Sequence, residues 1–209
     1  MKLHRAFYER STLEVARDLI GKVLVHRTRA GLASGVIVEA EAYVGEDDPA
    51  CHAAPGPTRR NEPLYGRPGV AYVYFNYGMH HLVNAVTERE GYPGAVLIRA
   101  LDPLDGIELM RRRRARHLAH GFSPAARPPR PLSIHELCRG PGNLTRALGI
   151  TLGQNRERLT GPRLFIEDRG ISLGDVAWST RVGIRVGTDR PWRVYVCGHP
   201  AVSGPRRPR

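Results

Sequence analysis

Two carboxylates and a phenol ring stand at alternate positions in this chain: Glu39, Glu41 and Tyr43. On one face of a strand the two carboxylates would lie about 6.6 Å apart. That spread matches the pair used by an inverting glycosidase, so a two-acid hydrolysis with Glu39 as proton donor follows from spacing alone. A single carboxylate beside a ring gives a simpler chemistry, one general base next to a stacking platform. On a solvent face the same glutamates would be ordinary surface charges. Further along, Arg99 interrupts the apolar run Val96, Leu97, Ile98 and Ala100. A buried strand tolerates an arginine only when it is paired, and the two glutamates are the best partners available.

The element that must position them reads as a strand of period two. Val36, Val38, Ala40, Ala42 and Val44 fall on one face, and Ile37, Glu39, Glu41 and Tyr43 on the other. Before it, Ser11 and Glu14 form a capping-box pattern for a helix that Gly21 is placed to end, and residues 22–28 read as a strand. After it, residues 45–68 form a Gly- and Pro-rich loop holding Asp47, Asp48, Cys51, His52, Arg59, Arg60 and Asn61, too long to be a mere connection. Strands at 71–75 and 81–86 flank Asn76, Tyr77, Gly78, Met79 and His80, a hairpin tip with Gly78 supplying a positive φ. Tyr77 and Met79 would either fold back onto the core or form an apolar wedge. Residues 95–100 form another strand, and Asp102 and Pro103 read as a helix start with proline at its first position. In that helix Arg111, Arg112, Arg113, Arg114 and Arg116 coat the outer side. Residues 121–131 form a flexible Pro-rich loop, a short helix covers 143–148, and strands are expected at 163–167, 181–186 and 193–197.

The formal net charge is +12, and 30 of the 32 basic residues are arginines, the others being Lys2 and Lys22. Arginine makes bidentate contacts to phosphate, so the balance points to a polyanion, with nucleic acid the natural candidate. No amphipathic basic helix, secretory leader or long apolar run suggests a membrane. Cys51, Cys138 and Cys197 are far apart, which fits a reducing cytoplasm rather than a zinc site or a disulfide scaffold. His52 has no second ligand at a useful spacing, so neither a metal nor a cofactor is expected.

Together these segments resemble the alkyladenine (3-methyladenine) DNA glycosylase family, of the type without a helix-hairpin-helix. The matching stretches are VEAEAYVG (38–45), the Cys51–His52 pair, TRRN (58–61), PGVAYVYFNYGMHHLVN (68–84), VLIRALDPLDG (96–106), CRGPGNLTRALGI (138–150), RVGI (181–184) and WRVYVCGHPAVS (192–203). Their order and spacing make the resemblance specific.

The resemblance implies an α+β fold in a single domain over 1–203, with 204–209 a basic tail. It implies a curved antiparallel β-sheet, surrounding helices and a protruding β-hairpin that inserts into DNA. By the same resemblance Glu41 is the base that activates a water and Arg99 sits beside both. Tyr43, His52 and Tyr74 line the slot for a flipped base, and Asn84 crowds the 2-amino group of guanine. Tyr77 fills the gap in the duplex with Met79 beside it; His80 departs from the tyrosine common in mammalian members. The implied partner is double-stranded DNA containing damaged purines, met by a monomer at the nucleoid in the cytoplasm. Two other readings use fewer of these residues. A non-catalytic basic module that binds nucleic acid would need neither Glu41 nor Arg99. A hydrolase of free nucleosides would need neither the charge nor the tip.

Overall fold

The computed structural model describes residues 1–76, 78–119 and 130–204. Its elements, in chain order, are α1 (Arg5–Tyr8), α2 (Thr12–Leu19), β1 (Val23–Thr28), β2 (Gly31–Val44), β3 (Ala71–Asn76), β4 (His80–Thr87), β5 (Gly94–Asp105), α3 (Ile107–Ala119), α4 (Pro141–Leu148), β6 (Leu164–Glu167), β7 (Val176–Ser179) and β8 (Arg193–Val196). The eight strands form one curled antiparallel sheet in the order β3-β4-β5-β2-β1-β6, with β8 on β2 and β7 on β8. This is the expected α+β architecture.

The strand β2 organises the sheet because it is paired on both edges. One edge follows β5 from Ser34 to Val44, while the other pairs with β1 over its first six residues and with β8 at Glu39, Ala40 and Glu41. The register with β5 shifts on either side of Glu39: Ile37 faces Leu101, Glu39 faces Ala100 and Ala40 faces Ile98. Val38 on β2 and Arg99 on β5 are therefore each left without an opposite number. Such bulges bend a strand and re-aim its side chains.

The bulge also corrects the simple alternation. Ile37 joins Ala40 and Ala42 in the main core, whereas Val38 packs in a second cluster with Ala100 and Tyr195, and Val36 in a third with Phe165. Against the main core α2 lays Val15, Ala16 and Leu19, and α4 lays Leu144, Ala147 and Leu148. Each fully buried leucine contributes about 1.5–3 kcal/mol. Ser11 caps α2 by accepting from the Glu14 N–H, and Gly21, at φ 84°, lets the chain turn into β1.

Two other expectations change. Asp102 and Pro103 do not start a helix: β5 runs on to Asp105, and α3 begins at Ile107 after Gly106, at φ 75°. Pro103 sits opposite Gly35 beside a register shift near the strand end, where a missing N–H is tolerated. Arg114 does not coat the outside of α3. It is buried and donates to the carbonyls of Glu136 and Leu137. Of the Pro-rich loop, 121–129 lie outside the described residues, as do 205–209 of the tail.

Candidate active site

Strands β2, β3, β4 and β5, the 45–68 loop, the start of α4 and the segment after Arg181 enclose a cavity of about 650 Å³. That volume lies within the range of small-ligand sites. Tyr43, His52, Tyr72, Tyr74, Asn84 and Arg99 line it. The expected residues thus converge, except that Tyr77 lies outside the described residues and Glu41 stands just behind the wall.

Glu41 has no exposed surface. Its Oε2 accepts from Tyr43 Oη at 2.9 Å and Arg99 Nη1 at 3.2 Å, and its Oε1 accepts from the Val182 N–H at 2.6 Å. Burial pushes its carboxyl above the usual range, partly offset by the Arg99 guanidinium, then the Val182 N–H and the Tyr43 hydroxyl. One lone pair of Oε1 is left for a further donor. Arg99 reaches both glutamates from its bulge, with Nε 3.0 Å from Glu39 Oε1. Burial pushes the guanidinium down, but Glu41 and Glu39 more than offset it and hold it above its ordinary value.

Glu39 is committed differently. Its Oε1 accepts from Arg99 Nε and from Arg193 Nε at 2.7 Å, and its Oε2 accepts from the Ser203 N–H at 2.7 Å. Its donors Arg193 and Ser203 do not line the cavity, whereas Tyr43, Arg99 and Val182, the donors to Glu41, all do. That is the environment of a structural acceptor.

The slot is aromatic and neutral. The His52 ring packs edge-on to Tyr74 at 4.5 Å and shares a 2.9 Å hydrogen bond with the Tyr72 hydroxyl. Burial and then nearby Arg60 lower its pKa, so it carries no charge at neutral pH. Burial pushes the Tyr43 and Tyr74 phenols up, which keeps both protonated. Asn84 donates to the Tyr72 carbonyl at 3.0 Å, which fixes its amide at the cavity wall. Near the hairpin tip Met79 is 62% exposed and Phe75 45% exposed, and the adjacent Asn76 and His80 line the cavity.

A family model for methylpurine-DNA glycosylase (MPG) matches residues 6–200. The chain belongs to that family. Among its relatives, a protein from Chlorobium phaeobacteroides is 45% identical over 205 residues, covering 97% of this chain and 96% of its own. One from Rubrobacter xylanophilus is 48% identical over 191 residues, covering 91% of each. One from Methanocella arvoryzae is 44% identical over 205 residues, covering 96% of this chain and 95% of its own. Each bears the name "Putative 3-methyladenine DNA glycosylase".

The protein is therefore a DNA glycosylase, a hydrolase of N-glycosylic bonds. The charge of +12 suits that polyanionic substrate. In this glycosylase three site residues escaped the sequence reading of the chemistry. Arg193 pairs with Glu39, Ser203 bonds both Glu39 and Arg99, and Arg181 forms a buried bidentate pair with Asp48. The expected strand at 181–186 is instead an irregular segment. Gly183 and Gly187 have φ of 80° and 59°, and the Val182 N–H goes to Glu41 rather than to a ladder. The strand in this region is β7, which pairs with β8. Among the described residues no helix is long and apolar enough to cross a membrane.

Proposed function

We propose that this glycosylase flips alkylated or deaminated purines out of duplex DNA and hydrolyses their N-glycosidic bond with a water activated by Glu41. The candidate lesions are 3-methyladenine, 7-methylguanine, hypoxanthine and ethenoadenine. One observation carries the reading: a fully buried carboxylate is bonded to an arginine and a tyrosine that both face an aromatic cavity. A base inside a duplex is out of reach of that carboxylate, so it must first leave the stack.

In the cavity the base stacks among Tyr43, His52 and Tyr74, and Asn84 crowds the 2-amino group of a normal guanine. The water oxygen attacks the sugar carbon and gives its proton to Glu41. The glycosidic bond breaks, and its electron pair leaves with the purine. For a cationic 3-methyladenine this neutralises the leaving base, so no acid is needed. Glu41 also opposes the charge that develops on the sugar, and Arg99 holds it in place. Tyr77 and Met79 enter the duplex and fill the gap.

The protein acts as a monomer at the nucleoid, in the cytoplasm, and opens base excision repair by leaving an intact abasic strand. An amine nucleophile is needed for strand cleavage by Schiff base, and neither lysine lines the cavity. Lys22 is paired with Asp168, and Lys2 donates to the Gly161 carbonyl. Incubation with a hypoxanthine-containing duplex tests the reading. Free base should be released with an unbroken strand and no borohydride-trapped adduct. No base release, or a trapped adduct, would contradict it.

A further inference from the structure

Arg181 is a fully buried arginine that does not reach the cavity. Its Nη1 lies 2.5 Å from Asp48 Oδ2 and its Nη2 lies 2.8 Å from Asp48 Oδ1, a two-pronged pair with no exposed side-chain surface on either partner. The same fork donates to the Ala42 carbonyl at 3.1 Å and to the Gly187 carbonyl at 3.2 Å. The guanidinium lies over the Tyr43 ring, 4.7 Å from its centroid, and over Trp192 at 5.2 Å. Among the described residues its Nε has no hydrogen-bond partner, as suits a group packed against ring faces.

These contacts bind three parts of the site to one point. Ala42 is the residue of β2 between Glu41 and Tyr43. Gly187 closes the irregular segment whose residues 182–186 form one cavity wall. Asp48 is itself fixed by the Val44 and Ala50 N–H groups. The next residue after the arginine, Val182, supplies the N–H on Glu41 Oε1. With no ladder to hold the segment, the arginine fork sets where that N–H points.

We propose that Asp48 and Arg181 are positioning residues for the reaction, fixing the Val182 N–H on Glu41 and the Tyr43 ring at the slot. The proposal rests on Glu41 being the base. It explains why a charge pair is buried beside an aromatic ring, where an apolar pair would pack at lower desolvation cost. The groups facing Glu41 are Glu39 and Tyr43 on β2, Arg99 on β5, Tyr74 on β3, Arg193 on β8, and Arg181 itself. Glu39, Arg99, Tyr74 and Arg193 stay in place when the fork is altered, so a change in how Glu41 titrates reports the Val182 N–H and the Tyr43 hydroxyl that the fork positions.

The test is the pH profile of single-turnover 3-methyladenine release, per molecule able to bind lesion duplex. Arg181→Lys keeps the charge but loses the fork and the flat stack. The double variant Asp48→Asn/Arg181→Gln removes both charges together, so neither is left buried alone. Both variants should lose on the order of 10–100-fold in rate. Their acid limb should move to higher pH, because a lost N–H donor favours the protonated carboxyl. A purely structural role would lower the binding-competent fraction and leave the limb in place. An unmoved limb in both variants overturns the proposal. Glu41→Gln run in parallel separates the two claims: if it keeps the parent rate and limb, the assignment of Glu41 itself has failed.

Discussion

Arg99 and Glu41 meet at 3.2 Å between Nη1 and Oε2, inside the sheet, with the arginine side chain 8% exposed and the glutamate fully buried. The contact exists because Arg99 occupies a bulge in β5 opposite the bulge in β2. A regular ladder would give the arginine an opposite residue and a fixed face. The irregularity lets one guanidinium reach two carboxylates.

The second carboxylate gives the first prediction. Glu39→Gln leaves Arg99 and Arg193 facing a neutral partner in the interior. Removing one member of a buried ion pair typically costs roughly 3–5 kcal/mol, and the amide recovers part of this through hydrogen bonds. Denaturant unfolding should therefore show a clear stability loss. The rate of 3-methyladenine release per folded molecule should fall far less than in Glu41→Gln. Equal rate losses in the two variants would restore the two-acid mechanism.

Activity should rise with pH through the titration of Glu41. Burial disfavours its ionised form and places the carboxyl above the ordinary value of about 4.3, and only the ionised form accepts a proton. The acid limb of the single-turnover rate should be centred above that value and should vanish in Glu41→Gln. His52, lowered by burial, should already be neutral and add no second inflection near neutrality. A limb centred at or below the ordinary glutamate value would contradict this assignment.

Much of the site was legible because its residues sit on strongly patterned strands. Tyr74 and Asn84 fall on regular stretches of β3 and β4, and an arginine in an apolar run announced its carboxylate partners. The irregular parts were hidden. Nothing in the alternation of β2 marks the bulge that sends Ile37 to the core with Ala40, because Val, Ile and Ala are apolar on either face. The run Arg181, Val182, Gly183, Ile184, Arg185, Val186 carries a strand's alternation. Its backbone follows two positive-φ glycines and the fork of Arg181 instead. The partner of that arginine, Asp48, is 133 positions away, and no local spacing connects them. Pro103 reads as a helix start only if β5 has already ended, and β5 continues because its last residues pair with β2.

The hairpin gives a prediction about the substrate's form. Tyr77 lies outside the described residues, and its neighbour Met79 is exposed at the tip. Tyr77→Ser should reduce hypoxanthine release from paired duplex more than release from a single strand carrying the same lesion, where no stacked gap has to be filled. Comparison of single-turnover rates on the two substrates checks this. Equal losses on both would make Tyr77 a packing residue.

The central claim is that Glu41 alone does the proton chemistry, and one variant tests it most directly. Glu41→Gln preserves the shape: its amide oxygen can still accept from Tyr43 and Arg99, while its NH2 faces the Val182 N–H, and lesion DNA should bind within a few-fold of the parent. Proton transfer is worth roughly 10²–10⁴-fold, and electrostatic stabilisation of the sugar cation adds to it. Single-turnover release of 3-methyladenine, measured alongside equilibrium binding to the same duplex, should show a loss of several orders of magnitude at nearly unchanged affinity. A rate within about tenfold of the parent would contradict the account, since general-base catalysis of this kind is worth at least about 10²-fold.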